Sequence, residues 1–167
     1  MIVFDASTLI LLAKAELLES FLSNFKGVAV IPGEVEKECC ASKKTLDAVM
    51  IQAFLEQSRI KVTLVRNRRL VDKFEADFGL GKGEAEAIAL ALQEGAQLLG
   101  VDDKNAIDAC KLVGIPFTTA IGILTRAREK GLLGTSEAVA KLSLLAQHGR
   151  YKNSIIQEAR RKLEGKT

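Results

Sequence analysis

The sequence alternates short apolar runs with longer amphipathic stretches, and this alternation restricts the fold more than any other feature. The runs MIVF, GVAVI, QLLGV and IPF are each followed by a segment with the hydrophobic spacing of a helix. A repeated strand–helix order is typical of a mostly parallel sheet covered by helices on both faces. The run RIKVTLV is predicted to extend this sheet or form its edge. Helices are predicted over residues 44–58 and 68–78.

Helical patterns are also present after the first apolar run and near the end of the chain. The stretch STLILLAKAELLESFLSNF, after the first apolar run, is predicted as a single helix. Near the end of the chain, one apolar stripe is formed by Ala138, Val139, Leu142, Leu145 and Ala146, and a second by Tyr151, Ile155, Ala159 and Leu163. We expect a main domain over residues 1–146 and a C-terminal helical appendage over residues 147–167 that packs on it.

Composition excludes several classes of protein. The chain has 167 residues, of which 48% are hydrophobic and 27% charged, as expected for one globular domain. No apolar run reaches the roughly 18 residues of a membrane span, so a cytoplasmic location and no membrane partner are expected. Cys39, Cys40 and Cys110 form no CxxC pair and are predicted to be buried. The net charge of +3 allows a polyanion partner.

Acidic residues recur where predicted strands end, which is the edge at which parallel α/β sheets bind ligands. Asp5 follows IVF, and Asp102 and Asp103 follow LLGV. Glu34, Glu36 and Glu38 lie in the helix after VAVIP, and Glu84 begins the helix after Gly83. Any one of these acids could simply stabilise the N-terminus of a helix. Together, they are expected to share one pocket.

The angular positions of these acids around their helices predict which of them face the protein interior and which face solvent. Glu84 shares a helix face with Ile88 and Ala91, whereas Glu86 projects toward the polar side. Glu84 is therefore predicted to be the functional acid and Glu86 to be solvated. By the same argument Asp108 is a surface residue, and Glu38 lies too far into its helix to cap the N-terminus.

The residue types narrow the chemistry. His148 is the single histidine and is predicted to lie on the surface, so histidine-based acid–base or nucleophilic catalysis is disfavoured. Clustered carboxylates without histidine or cysteine select Mg²⁺ or Mn²⁺ over Zn²⁺. Such an ion can activate water for attack on a phosphodiester.

The glycine-rich stretch GLGKGEAEAIALALQEG does not fit a phosphate-binding loop. It follows a charged helical pattern instead of a strand, its glycines lack the GxGxxG spacing, and no Ser or Thr follows Gly-Lys. Gly79, Gly81 and Gly83 are predicted to form a turn that ends one helix and places Glu84 at the start of the next.

Four motifs in order, MIVFDAS, IPGEVEKE, GKGEAEAIALALQEGAQLLGVDDKNA and GIPFTTAIGILTRAREKGLL, resemble the PIN domain family from residue 2 to about 134. The resemblance is to a prokaryotic branch with a Gly-Glu-Ala-Glu-Ala-Ile motif. It implies a three-layer α/β/α sandwich with a central mostly parallel sheet. It also implies a Mg²⁺- or Mn²⁺-dependent ribonuclease acting on RNA.

Carried onto this sequence, the resemblance implies the four acids Asp5, Glu38, Glu84 and Asp102 as catalytic metal ligands. It adds Asp103 as an auxiliary ligand and Ser7 as a hydrogen-bonding partner of Asp5. Many PIN proteins are toxins of toxin–antitoxin pairs, which implies a small antitoxin partner and a homodimer. The sequence departs from the family at Ile107, where relatives often have a basic residue, and at Glu84, where toxin-type relatives commonly have aspartate.

Two other interpretations stay open. A PIN-like fold with weak or no catalysis could serve as an RNA-binding or protein-interaction module, although retention of all four acids argues against it. A receiver domain would place its acid pair after the first strand and a lone aspartate after a central one, which is roughly the reverse of the order here.

Overall fold

The computed structural model describes residues 1–41 and 44–165. Its strands are β1 (Ile2–Phe4), β2 (Ala29–Pro32), β3 (Ile60–Thr63), β4 (Leu98–Gly100) and β5 (Phe117–Thr118). The helices in the described residues are α1 (Ala6–Lys14), α2 (Leu18–Asn24), α3 (Gly33–Cys40), α4 (Leu46–Glu56), α5 (Arg68–Phe78), α6 (Lys82–Glu94), α7 (Lys104–Val113), α8 (Ala120–Glu129), α9 (Thr135–His148) and α10 (Asn153–Leu163).

The five strands form one parallel sheet in the order β3-β2-β1-β4-β5. Strand β1 is central, and Val3 is in register with Val30 of β2 and Leu99 of β4. Strand order reverses between β1 and β4, and a crevice forms at such a point beyond the carboxyl ends of the strands. The parallel sheet is confirmed, with RIKVTLV forming the edge strand β3.

Alternating side chains of the strands pack against two separate helical layers. Ile2 and Phe4 belong to a buried cluster with α1, α3, α4, α8 and α9, whereas Val3 belongs to a second cluster with α5, α6 and α7. The predicted three-layer α/β/α sandwich is therefore confirmed. The three cysteines are buried in these clusters, as predicted.

The prediction of one helix over STLILLAKAELLESFLSNF is wrong, because the chain breaks between α1 and α2. Glu16 adopts a left-handed conformation with φ of 56°. The Leu17 N–H donates to the Leu12 carbonyl at 2.8 Å, and the Glu16 N–H donates to the Ala13 carbonyl at 3.1 Å. These are the two bonds of a Schellman motif, completed by burial of Leu17. No glycine or proline marks the break in the sequence.

The prediction of a second apolar stripe near the C-terminus is only partly correct. Ala159 and Leu163 of α10 are buried in the cluster that contains α9, but Ile155 is exposed. Tyr151 precedes α10, and its side chain extends to the carboxyl edge of the sheet instead of joining a helical stripe. The boundary between a main domain and a C-terminal appendage at residue 146 stays a prediction. Within residues 1–41 and 44–165, every helix is too short or too polar to cross a membrane.

Candidate functional site

Asp5 lies at the carboxyl end of β1 and is completely buried, with a relative exposure of 0%. As the N-cap of α1, it accepts the Thr8 N–H on Oδ1 at 2.8 Å, and its Oδ2 accepts the Ser7 hydroxyl at 2.9 Å. Burial raises the pKa of Asp5 from 3.8 to about 7, against the opposing effect of these hydrogen bonds; the neighbouring Asp102 carboxylate adds to the rise. The predicted hydrogen bond from Ser7 is present.

Asp102 follows the adjacent strand β4 and accepts three hydrogen bonds. Its Oδ2 accepts the Thr8 hydroxyl at 2.8 Å and the Ala120 N–H at 3.0 Å. Its Oδ1 accepts the Tyr151 hydroxyl at 2.5 Å. Burial and the adjacent carboxylate raise the pKa of Tyr151, so its phenol stays protonated and donates. Thr8 therefore links Asp5 and Asp102, a role that sequence reasoning did not identify.

Glu38 lies in the last turn of α3 and faces the start of α6. Its carboxylate accepts the Gly83 N–H, while burial together with repulsion from Glu34 and Glu86 raises its pKa. A Cβ atom at Gly83 would lie 2.5 Å from Oε1 of Glu38. The absence of a side chain at Gly83 thus allows the Glu38 carboxylate to approach the backbone of α6.

Glu84 and Asp103 each bond to the first turn of a helix. Glu84 accepts the Gly81 N–H at 2.9 Å in a capping box, and Asp103 is the N-cap of α7, accepting the Ala106 N–H at 3.0 Å. Burial, followed by repulsion from Asp103 and Glu38, raises the pKa of Glu84. The predicted glycine turn is confirmed, since Gly79 ends α5 in a left-handed conformation and Gly81 precedes α6.

The predicted positions of Glu84 and Glu86 relative to solvent are wrong. Glu86 is only 5% exposed, whereas Glu84 is half-buried. Glu86 accepts the Arg68 guanidinium at 2.6 Å and the Glu34 N–H at 3.1 Å, and it joins α5, α6 and the first turn of α3. A buried carboxylate with a cationic partner and a backbone donor is satisfied structurally. Asp108, as predicted, is exposed.

Ion pairing distinguishes the predicted ligands from their acidic neighbours. Glu34 pairs with Lys37 at 3.2 Å and with Lys82 at 3.3 Å, and Glu86 pairs with Arg68. Across residues 1–41 and 44–165, no salt bridge involves any of the five predicted ligands, which are Asp5, Glu38, Glu84, Asp102 and Asp103. Their hydrogen bonds come from backbone amides and hydroxyls. Their negative charge is therefore not neutralised by a basic side chain of the described structure.

The five acids fall into two groups. Asp5 and Asp102 form one, held by Thr8, and Glu38, Glu84 and Asp103 form the other, linked by mutual repulsion. The two groups share one neighbour, the buried Cys39 thiol. Burial raises the pKa of this thiol, and the charges of Glu38 and Asp5 add to the rise. In the part of the chain that the structure describes, no three acidic, histidine or cysteine side chains approach closely enough to form a ready ligand set.

The chemistry of these acids fits a hard divalent cation. All potential donors are carboxylate oxygens, which favour Mg²⁺ or Mn²⁺. Burial raises the pKa of Asp5, Glu38 and Glu84, and repulsion between neighbouring carboxylates adds to the rise; a cation between the carboxylates would remove that repulsion. Because the acids of the described residues form no ready ligand set, binding of one ion by both groups would require their side chains to move closer together.

Gly83→Ala is expected to lower activity without lowering stability. The new methyl group would occupy the position of the Glu38 carboxylate, which lies at the end of a flexible side chain and can move away. Alanine in place of a helical glycine favours α6 by about 1 kcal/mol. If the chain cleaves RNA, as the resemblance implies, we expect cleavage to fall by roughly 10-fold, because an ordered partner of a metal ligand is displaced. Single-turnover cleavage and chemical unfolding check this, with Gly33→Ala in α3 as the matched control, because a Cβ atom there would meet no described atom within 4 Å. Unchanged cleavage in Gly83→Ala would contradict a role for Glu38.

A family model described as a PIN domain matches residues 1–165. The match covers all five strands, the acidic edge of the sheet and α10. No curated protein and no solved structure matches the chain.

Proposed function

Because the chain belongs to the PIN domain family, whose members are generally nucleases, we propose that it is a metal-dependent endoribonuclease. The observation that carries the proposal is the concentration of carboxylates without ion-pair partners at the carboxyl edge of the sheet, among the residues described. Neighbouring acids that have structural roles, Glu34 and Glu86, are ion-paired. A site that binds a divalent cation requires unneutralised oxygen donors.

In this proposal, Asp5, Glu38, Glu84 and Asp102 hold one or two Mg²⁺ or Mn²⁺ ions, and Asp103 assists from the start of α7. A bound ion of this kind activates water and stabilises the charge that develops on a phosphodiester. Ser7 and Thr8 orient the Asp5 carboxylate, and Thr8 also fixes Asp102 relative to it. None of these steps requires a protein nucleophile.

The surroundings of the acids support binding of an RNA backbone. Lys82 and Lys104 occupy the first positions of α6 and α7, close in sequence to Glu84 and Asp103. Their side chains are 53% and 84% exposed and pair with Glu34 and Asp108, so a contact with phosphates would share or replace these surface ion pairs. The chain contains no Trp and a single Tyr, which disfavours recognition by base stacking.

The central experiment measures cleavage of a mixed RNA substrate with Mg²⁺ or Mn²⁺. Chelation with EDTA is expected to abolish cleavage, and Asp102→Asn to lower it by about 100-fold or more, since even outer-shell changes cost 10–100-fold. Glu129→Gln is the matched control because Glu129 is exposed, pairs with Arg126 and lies at the opposite end of α8 from the Ala120 N–H that contacts Asp102. Cleavage that resists EDTA, or full activity in Asp102→Asn, would contradict the mechanism.

The alternative function is a PIN-like RNA-binding or protein-interaction module with weak or no catalysis. The complete burial of Asp5 and the use of Glu84 and Asp103 as helix caps favour this alternative. Binding of RNA without cleavage by any divalent ion would support it over the nuclease.

The proposal also includes a small antitoxin protein as inhibitor, a homodimer and a cytoplasmic location. The antitoxin and the homodimer rest on the resemblance to toxins of toxin–antitoxin pairs. A neighbouring open reading frame for a small DNA-binding protein, whose co-expression relieves growth arrest, would support the toxin role. A sedimentation measurement decides the oligomeric state.

A further inference from the structure

Tyr151 connects the C-terminal segment to the acidic edge of the sheet. It lies between α9 and α10, 49 residues away in sequence from Asp102, and its hydroxyl donates to Oδ1 of Asp102 at 2.5 Å. The side chain is partly buried. Ala159 and Leu163 pack α10 into the core, and the Tyr151 ring packs against the same cluster.

The two oxygens of Asp102 differ in their remaining capacity to bind a cation. Oδ2 already accepts the Thr8 hydroxyl and the Ala120 N–H, which together use the two acceptor positions of a carboxylate oxygen. Oδ1 accepts only the Tyr151 hydroxyl and keeps one acceptor position. A cation on Asp102 would therefore bind the oxygen that Tyr151 contacts.

The backbone before α10 accommodates this position of the ring. A Cβ atom at Gly149 would overlap the Tyr151 ring at Cε2 and would lie 2.9 Å from the Leu145 carbonyl oxygen. The ring thus packs directly on the backbone that ends α9. A side chain at position 149 would require the ring to move away from Asp102.

We propose that Tyr151 is a positioning residue that orients Oδ1 of Asp102 toward a divalent cation, so that the segment after α9 completes the metal site. The inference rests on the proposed metal-dependent function. It goes further in assigning to the C-terminal segment a part in metal binding. A hydrogen-bond donor to a ligating carboxylate fixes the orientation of that carboxylate, and loss of such a partner costs 10–100-fold in metal affinity or activity.

The chain itself supplies a spectroscopic probe for this contact. Tyr151 is the single tyrosine and there is no tryptophan, so tyrosine emission reports on this side chain alone. Hydrogen bonding to a carboxylate alters phenol emission. Titration of the wild-type protein with Mg²⁺ is therefore expected to change the emission with the same midpoint as Mg²⁺ binding measured by calorimetry. Metal binding that leaves the emission unchanged would overturn the inference.

The matching variant is Tyr151→Phe, which keeps the ring and removes the donor. We expect its Mn²⁺ affinity by calorimetry to fall about 10-fold or more. We also expect kcat for RNA cleavage to fall while KM stays within about 2-fold, because the RNA contacts are intact. Ser143→Ala removes an exposed hydroxyl of α9 that bonds to the Val139 carbonyl of the same helix, and it controls for loss of a hydroxyl. Its Mn²⁺ affinity is expected to match the wild type.

The outcomes separate this inference from the proposed function. Equal Mn²⁺ affinity and equal kcat in wild type and Tyr151→Phe would overturn the role of Tyr151 and leave the nuclease function standing. Absence of both Mn²⁺ binding and cleavage in the wild type would overturn both. A loss of Mn²⁺ affinity in Tyr151→Phe, with an unfolding free energy equal to that of the wild type, would support the inference.

Discussion

Replacing Asp5 by asparagine is expected to abolish metal-dependent RNA cleavage and, in the absence of metal, to make the protein more stable at pH 8. Asp5 is completely buried and its pKa is raised to about 7, mainly by burial. Asparagine has nearly the same shape, and its Oδ1 can accept the Thr8 N–H as Asp5 does. Its amide can donate to the Ser7 hydroxyl oxygen, so the neutral side chain avoids the cost of a buried charge.

The sign of the pH dependence follows from the direction of this shift. Below pH 3.8, Asp5 is protonated in both the folded and the unfolded state, and the substitution changes little. Between pH 3.8 and about 7, the unfolded chain loses this proton while the folded protein keeps it, so the wild type loses stability as pH rises. Above pH 7 the penalty is complete, up to about 4 kcal/mol at 1.36 kcal/mol per pKa unit.

Thermal unfolding in EDTA at several pH values measures this effect. We expect the melting temperature of Asp5→Asn to exceed that of the wild type by roughly 5–10 °C at pH 8 and to approach it at pH 4. Mg²⁺ is expected to stabilise only the wild type, because binding to the folded state alone raises stability. An Asp5→Asn protein that is less stable than the wild type at pH 8, or that cleaves RNA normally, would contradict this account.

Hydrophobic spacing predicted most of the fold because burial against a sheet imposes a pattern that the sequence must carry. The helix predicted over residues 68–78 matches α5, and the acids after β1 and β4 lie at the predicted edge. The break between α1 and α2 was missed because Glu16, not glycine, adopts the left-handed conformation. The break is accompanied by burial of Leu17, which depends on tertiary packing and cannot be read from the local sequence.

The site was predicted less completely because its organisation depends on contacts between distant residues. The first two turns of α6 are buried on almost every side, from Gly83 through Ile88 except for Glu84, so a helical wheel cannot separate a buried face from a solvated one. Arg68, which pairs with Glu86, is 18 residues earlier in the sequence. Tyr151 carries no local signal for a contact with Asp102, because the two residues are 49 positions apart in sequence and only tertiary packing brings them together.

The structure gives a different physical reason from the sequence for preferring Glu84 over Glu86 as a metal ligand. Burial does not distinguish them as predicted, since Glu86 is the more buried of the two. The two glutamates differ in whether a basic side chain neutralises their charge. Glu86 has a guanidinium partner, whereas Glu84 is repelled by Asp103 and Glu38. A carboxylate that is paired stabilises the fold, and one that is repelled by its neighbours is available to a cation.

Glu84→Gln and Glu86→Gln are therefore expected to have opposite effects. Glutamine at position 84 can preserve the capping box with the Gly81 N–H, so stability should stay within about 0.5 kcal/mol of the wild type. Loss of the charged oxygen is expected to lower cleavage by about 100-fold or more, beyond the range for outer-shell changes. At position 86, glutamine keeps an acceptor for the Glu34 N–H but loses the ion pair with Arg68.

The expected cost of Glu86→Gln is about 1–2 kcal/mol, less than for a fully buried pair, because the Arg68 side chain is 49% exposed. Its cleavage rate under conditions where it is folded should stay near that of the wild type. Urea unfolding and Mn²⁺-dependent cleavage, measured on both variants, distinguish the two roles. Each variant is the control for the other, since the two positions are two residues apart and both substitutions remove one negative charge from the same turn of α6. Loss of cleavage in Glu86→Gln with full activity in Glu84→Gln would assign the ligand to the other glutamate.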